Sequence, residues 1–525
     1  MNSKFQCSKF RCSKFQRSKS KNSKFASPTR PLASLIAIVI LVTGCTLGPD
    51  YEQPSLSVAD TYHASSSAHS ESVVDGDTSS TNQHFWQGFG DPLLADLLRE
   101  TLYENLDLQA AMARYQGAAA LLRLSQREQW PSLTAFAQAS DQKLAAAENT
   151  ADNAGRFDLY DAGVALHWEV DLFGRLTRAT DAARANFEAT GADMQALQVA
   201  LAGQLATSYW QLRGLQQRYR VIEQNIALQR SSLDIVNARL DAGRGTTLDV
   251  LRAQAQLDTT RAVLPEIEAA IHSAMHRIAV LSGKNPATLI EQLNATTSLP
   301  NVVPNIAVGQ PGEVLRRRPD IRAAERRVAA ASARIGIASA DLFPRFSLQG
   351  LAGSLASDTS DLFTSGNNYR RVIFGIDWTF LDRAQVRARI DAADAETAAQ
   401  LAEYRQAVLL ALEETETWLV RFQQSQTRVG LLQDVTAASE QAVDQARARY
   451  EQGYIDYFEL LSAELELARA RDSLVLGQTE QALAMVNVYR SLAGAPTLAA
   501  EERPGVEKKF VSRGCHRRGV VALSD

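Results

Sequence analysis

Cysteine is scarce, and its placement excludes more than its number does. The four cysteines lie at 7, 12, 45 and 515. Two fall in a basic head and one in a basic tail, so neither a disulfide framework nor a thiolate metal cluster follows. Histidine is almost as rare, with seven scattered along 525 residues. His272 and His276 stand four apart, a spacing that suits a metal but that equally puts two residues on one face of a long helix, the reading favoured here. No hydrolase-type arrangement of nucleophile and base is present. Arg316, Arg317, Arg318 and Asp320 precede a helical stretch and lack the glycines of a phosphate cradle, which leaves them a structural role at a helix entry. The chain reads as no enzyme, with no resident cofactor or metal.

Acidic residues are missing from one end. Residues 1–44 hold nine Lys or Arg and no Asp or Glu. Removing those nine from the 55 basic residues leaves 46 against 59 acidic ones, a formal charge of -13. An acidic remainder is poor material for binding nucleic acid, which requires a basic surface.

The apolar run 31–43 follows that basic head and is too short to span a membrane, but it has the length of a signal-peptide core. It ends in Val42-Thr43-Gly44-Cys45. Small residues before a cysteine match a lipobox, so Cys45 is expected to carry diacylglycerol and an N-palmitoyl chain after cleavage. Thr46 in the next position, in place of Asp, favours sorting to the outer membrane. Ser-Lys-Phe recurs at 3–5, 8–10, 13–15 and 23–25, giving an unusually long basic leader. Residues 47–80 are Ser-rich without sustained periodicity and read as a tether.

Proline is absent from residues 177–242. At 1.5 Å per residue such a helix is a rod of roughly 100 Å, which needs coiled packing or a tunnel wall to bury its apolar stripe. Gly243-Arg244-Gly245-Thr246-Thr247 breaks it, and a second helix is expected from Leu248 to Leu281. Ahead of the rod, a helix is expected from Pro92 to Arg127, ended by Trp130-Pro131. Residues 133–139 and 157–170 then alternate as two strands.

This unit recurs at a separation near 210 residues. Gly243 returns as Gly453, Leu251, Ala253, Leu257 and Arg261 as Leu461, Ala463, Leu467 and Arg471, Trp130-Pro131 as Phe343-Pro344, and Trp168 as Trp378. The second unit therefore predicts strands at 345–355 and 370–380 and a rod over 384–451. Two strands per unit give four per chain, too few to close a membrane barrel alone. Three copies would give twelve.

Several motifs carry a family resemblance over residues 45–497. They are Cys45-Thr46-Leu47-Gly48-Pro49-Asp50-Tyr51, Phe85-Trp86 with Asp91-Pro92, Trp168 through Arg175, and Leu315-Arg316-Arg317-Arg318-Pro319-Asp320-Ile321 running on to Phe343-Pro344-Arg345-Phe346. The chain resembles the outer membrane factor lipoproteins of tripartite efflux pumps, of the nodulation-protein-T type associated with resistance-nodulation-division transporters. The resemblance implies a mainly α fold with a membrane β component. Four strands per chain would join a trimeric 12-stranded barrel in the cell outer membrane, above a long periplasmic α-helical tunnel. It also implies passive efflux of small molecules, with a periplasmic adaptor and an inner-membrane transporter as partners. A channel for type I protein or peptide secretion is the alternative, and a periplasmic coiled-coil scaffold a weaker one.

In that architecture Gly243, Gly245 and Gly453 mark the periplasmic tips. Glu459 matches a position where related channels carry a pore-constricting acid; it also suits a solvated acid at a helix start. Asp456 and Asp249 are further gate candidates, with Arg239 and Arg449 as possible partners for such acids. The second acidic gate position is Ser462, and the second strand-to-rod junction, Asp382-Arg383-Ala384-Gln385, lacks the family's glycine. The expected layout is a signal peptide (1–44), a lipidated tether (45–85), a first repeat (86–290), a linker (291–312), a second repeat (313–497) and a tail (498–525).

Overall fold

A computed structural model describes residues 46–55, 58–63, 73–74, 91–143, 156–295, 299 and 306–492. The expected signal peptide, Cys45 and the tail over 498–525 lie outside the described residues.

Each half opens with helices that lead into a strand. Helix α1 (Pro92–Glu104) starts at Asp91, whose side chain accepts from the Leu93 and Leu94 amides, and Pro92 supplies a preset first turn. A single helix was expected to Arg127. Instead Asn105 adopts an extended conformation and starts α2 (Leu106–Glu128), accepting from the Asp107 and Leu108 amides at 2.9 and 3.1 Å. Its amide also donates to the Leu281 carbonyl at 2.9 Å, which fixes the break to a neighbouring helix.

Strands β1 (Ser132–Lys143) and β2 (Arg156–Val170) follow, then rod α3 (Arg175–Asp241). Beyond the tip come α4 (Thr247–Ala262) and α5 (Leu264–Leu281), where one helix was expected. Pro265 lies in the first turn of α5 and has no N–H to continue the ladder from α4. The second half repeats the plan after short helices α6 (Ile290–Asn294) and α7 (Pro311–Arg317). Helix α8 (Pro319–Ala340) leads to β3 (Arg345–Ala356), β4 (Asn368–Asp377), rod α9 (Arg383–Gln452) and α10 (Tyr457–Ser491). The position corresponding to Pro265 is Val475, and α10 runs unbroken.

The four strands form one antiparallel sheet in chain order. The helices repeat that order. Near the sheet α2 packs on α3, α3 on α8 and α8 on α9; farther away α4 and α5 pack on α3, α3 on α10 and α10 on α9. One lateral edge is thus β1 with α2, α4 and α5, and the other is β4 with α9. Alternation separates the sheet's faces. Paired residues Leu166, Gly350 and Val372, then Trp168, Leu348 and Phe374, then Val170, Phe346 and Ile376 give an apolar face. The other face carries Thr134, Asp161, His167, Gln349 and Arg371. On edge strand β4, Val372 is 79% exposed and Phe374 62%.

The duplication extends to individual hydrogen bonds. Trp168 donates its indole N–H to the Gln129 carbonyl at 3.1 Å, just before Trp130-Pro131. Trp378 donates to the Leu342 carbonyl at 3.1 Å, just before Phe343-Pro344. The strand-to-rod junctions differ, as the missing glycine implied. Gly174 precedes α3 with φ +77, whereas Asp382 precedes α9 and caps it by accepting from the Gln385 amide.

The described part of the expected tether is docked. Leu47 donates its amide to the Phe173 carbonyl at 3.3 Å, and Arg178 holds the Leu47 carbonyl at 3.1 Å and Asp50 at 2.7 Å. Gly48 passes so close to α8 that a Cβ there would stand 2.4 Å from Gly336 Cα. Farther along, the Tyr51 hydroxyl donates to Glu325, Tyr62 is buried, and the His63 amide donates to Glu416 at 2.7 Å. A few specific anchors within a polar stretch hold it, and periodicity does not report them.

Between the two levels, charged groups staple the helices. Arg318 chelates Asp320 at 2.8 and 3.1 Å, pairs with Glu414 of α9 at 2.9 Å, and donates to the Ser491 carbonyl at the end of α10. Arg213 is buried and donates to the Leu293 and Ala295 carbonyls at 3.0 and 2.7 Å. Where α5 ends, Gly283 has φ +71, and a Cβ would approach the Glu104 carbonyl oxygen to 2.4 Å. Gly283→Ala should therefore lower stability by about 1–3 kcal/mol in thermal unfolding, against Gly312→Ala, which meets open space, as the control. Equal midpoints for the two variants would refute the close packing.

Candidate functional site: the paired helical tips

The first tip turns on Gly243, whose φ of +71 ends α3 while the Arg244 amide donates back to the Arg239 carbonyl at 2.8 Å. Gly245 folds under the turn; a Cβ there would lie 3.1 Å from the Leu240 nitrogen. Thr246 then starts α4 through a capping box. The Thr246 hydroxyl binds Asp249 at 2.7 Å, the Asp249 amide donates to that hydroxyl at 3.2 Å, and the Thr246 amide donates to the Asp249 carboxylate at 3.3 Å. The carboxylate of Asp249 is thereby occupied in starting a helix.

The second tip is built alike. Gly453 has φ +86, and the Gly453 and Tyr454 amides donate to the Tyr450 and Arg449 carbonyls at 2.9 Å. Asp456 is the N-cap of α10 and accepts from the Glu459 amide at 3.1 Å. The Glu459 carboxylate points into solvent and makes no hydrogen bond or ion pair among the described residues. Tyr454 in the turn and Phe458 in the first turn of α10 are 78% and 61% exposed.

The two tips are joined by a contact that the spacing of charges did not announce. Arg239 donates to the Tyr450 carbonyl, and its guanidinium lies 4.4 Å from the centre of the Tyr450 ring. The Tyr450 and Tyr457 rings are 5.8 Å apart, within a small apolar cluster with Val236, Ala253 and Leu460. Arg239 thus binds a carbonyl and a ring, where an acid was expected.

Two turns farther along α10, Glu464 is only 2% exposed. The Ser232 hydroxyl of α3 donates to its Oε1, and Arg447 of α9 reaches the same oxygen at 3.3 Å. Glu464 Oε2 and Arg447 Nε are buried without a hydrogen-bond partner. Burial pushes the Glu464 carboxyl above the ordinary carboxylate range, with Ser232 and Arg447 opposing the shift. Sequence held a signal for this residue. Tyr457, Leu460, Glu464 and Leu467 follow helical spacing, so Glu464 occupies the buried stripe. His272 and His276 lie with ring centres 6.3 Å apart, and no group of three metal-ligating side chains occurs among the described residues.

A tunnel wall of rods, capped by glycine turns and attached to a membrane-type sheet, invites comparison with known channels. The sequence model of the family described as Outer membrane efflux protein matches residues 97–284 and 311–494. The chain belongs to that family. Nodulation protein T of Rhizobium leguminosarum bv. trifolii is 28% identical over 472 residues, covering 87% of this chain and 95% of the relative. The probable efflux pump outer membrane protein TtgC of Pseudomonas putida is 26% identical over 468 residues, covering 89% and 96%. The solved structure of the outer-membrane channel OprN is 39% identical, with a TM-score of 0.80 over 86% of this chain and 99% of that one.

This outer membrane efflux protein is accordingly an outer-membrane efflux channel. Its fold is that of the trimeric channels, with helices below and a four-stranded sheet per chain. Gly243, Gly245, Asp249, Gly453, Asp456 and Glu459 are gathered at the two turns. Of the three acids, Asp249 and Asp456 serve as caps and Glu459 alone has its carboxylate free.

The raised proton affinity of Glu464 has a definite sign. Its protonation favours the folded state below the ordinary carboxylate range, and that contribution is lost as pH rises through the raised value. Glu464→Gln removes the buried charge, while Arg447, partly exposed, keeps access to water. The variant should melt higher than wild type at about pH 8 and lose that advantage on acidification. A lower melting point at that pH would show that the ion pair outweighs the burial of its acid.

Proposed function

We propose that three copies of this chain close head to tail into one conduit for small molecules. It would receive cargo at its periplasmic tips, from an adaptor protein and an inner-membrane transporter of the resistance-nodulation-division type, and release it outside the cell. The observation that carries this reading is the shared order of strands and helices. Both layers end on the same two unlike edges, β1 with α2, α4 and α5, and β4 with α9. Apolar side chains stand exposed on both: Leu121 and Leu124 of α2, and Leu409, Val420 and Leu431 of α9. Unlike edges join in a ring, and a sheet with unpaired edges is intolerable in lipid. Relatives from Pseudomonas putida that serve antibiotic and toluene efflux pumps support small, largely apolar cargo.

In this assembly Glu459 contributes three carboxylates around the mouth, which repel anions and concentrate cations. Purified protein in planar bilayers should form cation-preferring channels from a complex of three chains. Glu459→Ala should raise conductance or weaken cation preference with assembly intact. Unchanged conductance and selectivity would remove Glu459 from the gate, and a non-conducting or non-trimeric wild type would overturn the conduit itself.

Lipidation of Cys45 completes the proposal. Cys45 directly precedes Thr46, and Thr46 lies against Gly174, where the sheet gives way to the rods. Acyl chains attached there would enter the periplasmic leaflet beside the barrel. Cys45→Ser should abolish incorporation of labelled palmitate, and persistent labelling would exclude Cys45 as the acceptor. Channel activity should survive, because the barrel is a second means of membrane attachment.

A further inference from the structure

On the polar face of the sheet, Phe136 pairs with Gly163, Gly163 with Gly353, and Gly353 with Tyr369. An aromatic–glycine–glycine–aromatic row therefore crosses all four strands. Directly paired residues share a face, so this row shares its face with Thr134, Asp161 and Arg371 and points away from lipid.

The rings lie over the glycines. A Cβ on Gly163 would stand 3.1 Å from Phe136 Cζ and 2.5 Å from the Ala352 carbonyl oxygen. One on Gly353 would stand 2.9 Å from the Tyr369 hydroxyl. The end of each ring thus reaches across bare backbone, a packing that shields the ladder beneath it. The Tyr369 hydroxyl donates to Asp161 at 2.8 Å, which fixes its ring from the edge. Both rings are only half-buried, leaving their outer faces accessible.

We propose that Phe136 and Tyr369, with Asp161 beside them, form a weak binding station for aromatic cations on the inner wall of the exit barrel. The inference rests on the three-copy conduit, which turns this face toward the lumen and supplies six ring faces and three Asp161 carboxylates. Ring faces attract planar apolar groups and cations; the Asp161 carboxylates favour positive charge beside the rings, while Arg371, two residues from Tyr369 on the same face, opposes it and keeps the station weak. Each contact is weak, so cargo is retained briefly and handed on without being trapped. The two glycines keep the rings close to the wall and the lumen clear.

Block of potassium current through the full-length protein in planar bilayers tests this. Benzyltrimethylammonium should block at concentrations where (cyclohexylmethyl)trimethylammonium, of similar bulk and charge but without a π face, does not. Phe136→Leu and Tyr369→Leu should each raise the half-blocking concentration of the benzyl compound about threefold or more. Equal block by the two cations in the wild-type channel overturns the station, whether or not the variants assemble. Unchanged block in both leucine variants also overturns it. A wild-type protein that carries no current would instead defeat the conduit reading on which the station depends.

Discussion

Backbone groups at the edge of a sheet must find partners, and hydrocarbon offers none. The four-stranded sheet leaves two such edges, on β1 and β4, and the order of the helices follows them. Because each strand adjoins a helix of matching position, the same lateral order continues from the membrane through the periplasmic wall. A ring that satisfies the strands therefore also covers the apolar side chains standing exposed on α2 and α9. Membrane insertion, tunnel closure and self-association become one problem with one geometrical solution.

Within the wall, long helices alone would not fix their register. A coiled interface of alanines and leucines tolerates sliding, and the buried positions of α3 between 182 and 192 are all alanine. Polar groups placed at intervals supply the missing definition. Arg318 ties α7 and α8 to α9 and α10, Arg213 ties α3 to carbonyls at the end of α6, and the Arg178 guanidinium fixes the amino-terminal segment to the base of the sheet. Toward the tips further pairs continue the series, Arg218 with Asp472, Arg471 with Glu440 and Arg447 with Glu464.

Much of this was legible in the sequence because glycine and proline punctuate it strongly. Rods, strands and the two tip turns emerged close to their observed limits, since Trp130-Pro131, Gly243, Phe343-Pro344 and Gly453 each impose a backbone break. The subdivisions at Asn105 and Pro265 were missed. Asn105 acts through a cap that depends on Leu281, and Pro265 lies within an otherwise continuous helical pattern. Glu464 was passed over although its spacing placed it on the buried stripe, because an acid in a charged helix reads first as solvated. The alignment of Gly163 with Gly353 was hidden for a different reason. It depends on strand register, which only the pairing of β2 with β3 defines.

Proline 265 introduces a difference between two hairpins that are otherwise copies of each other. In the first, the return helix is jointed between Ala262 and Leu264; in the second, the unbroken α10 runs its full length. Around a closed mouth of three chains, jointed and continuous hairpins would alternate. With no N–H at residue 265, the helical ladder is interrupted in the first return helix and intact in the second, so the two hairpins of one copy differ in backbone continuity at the same height. Duplication supplied two similar hairpins per chain, and a single imino acid made their return helices unlike.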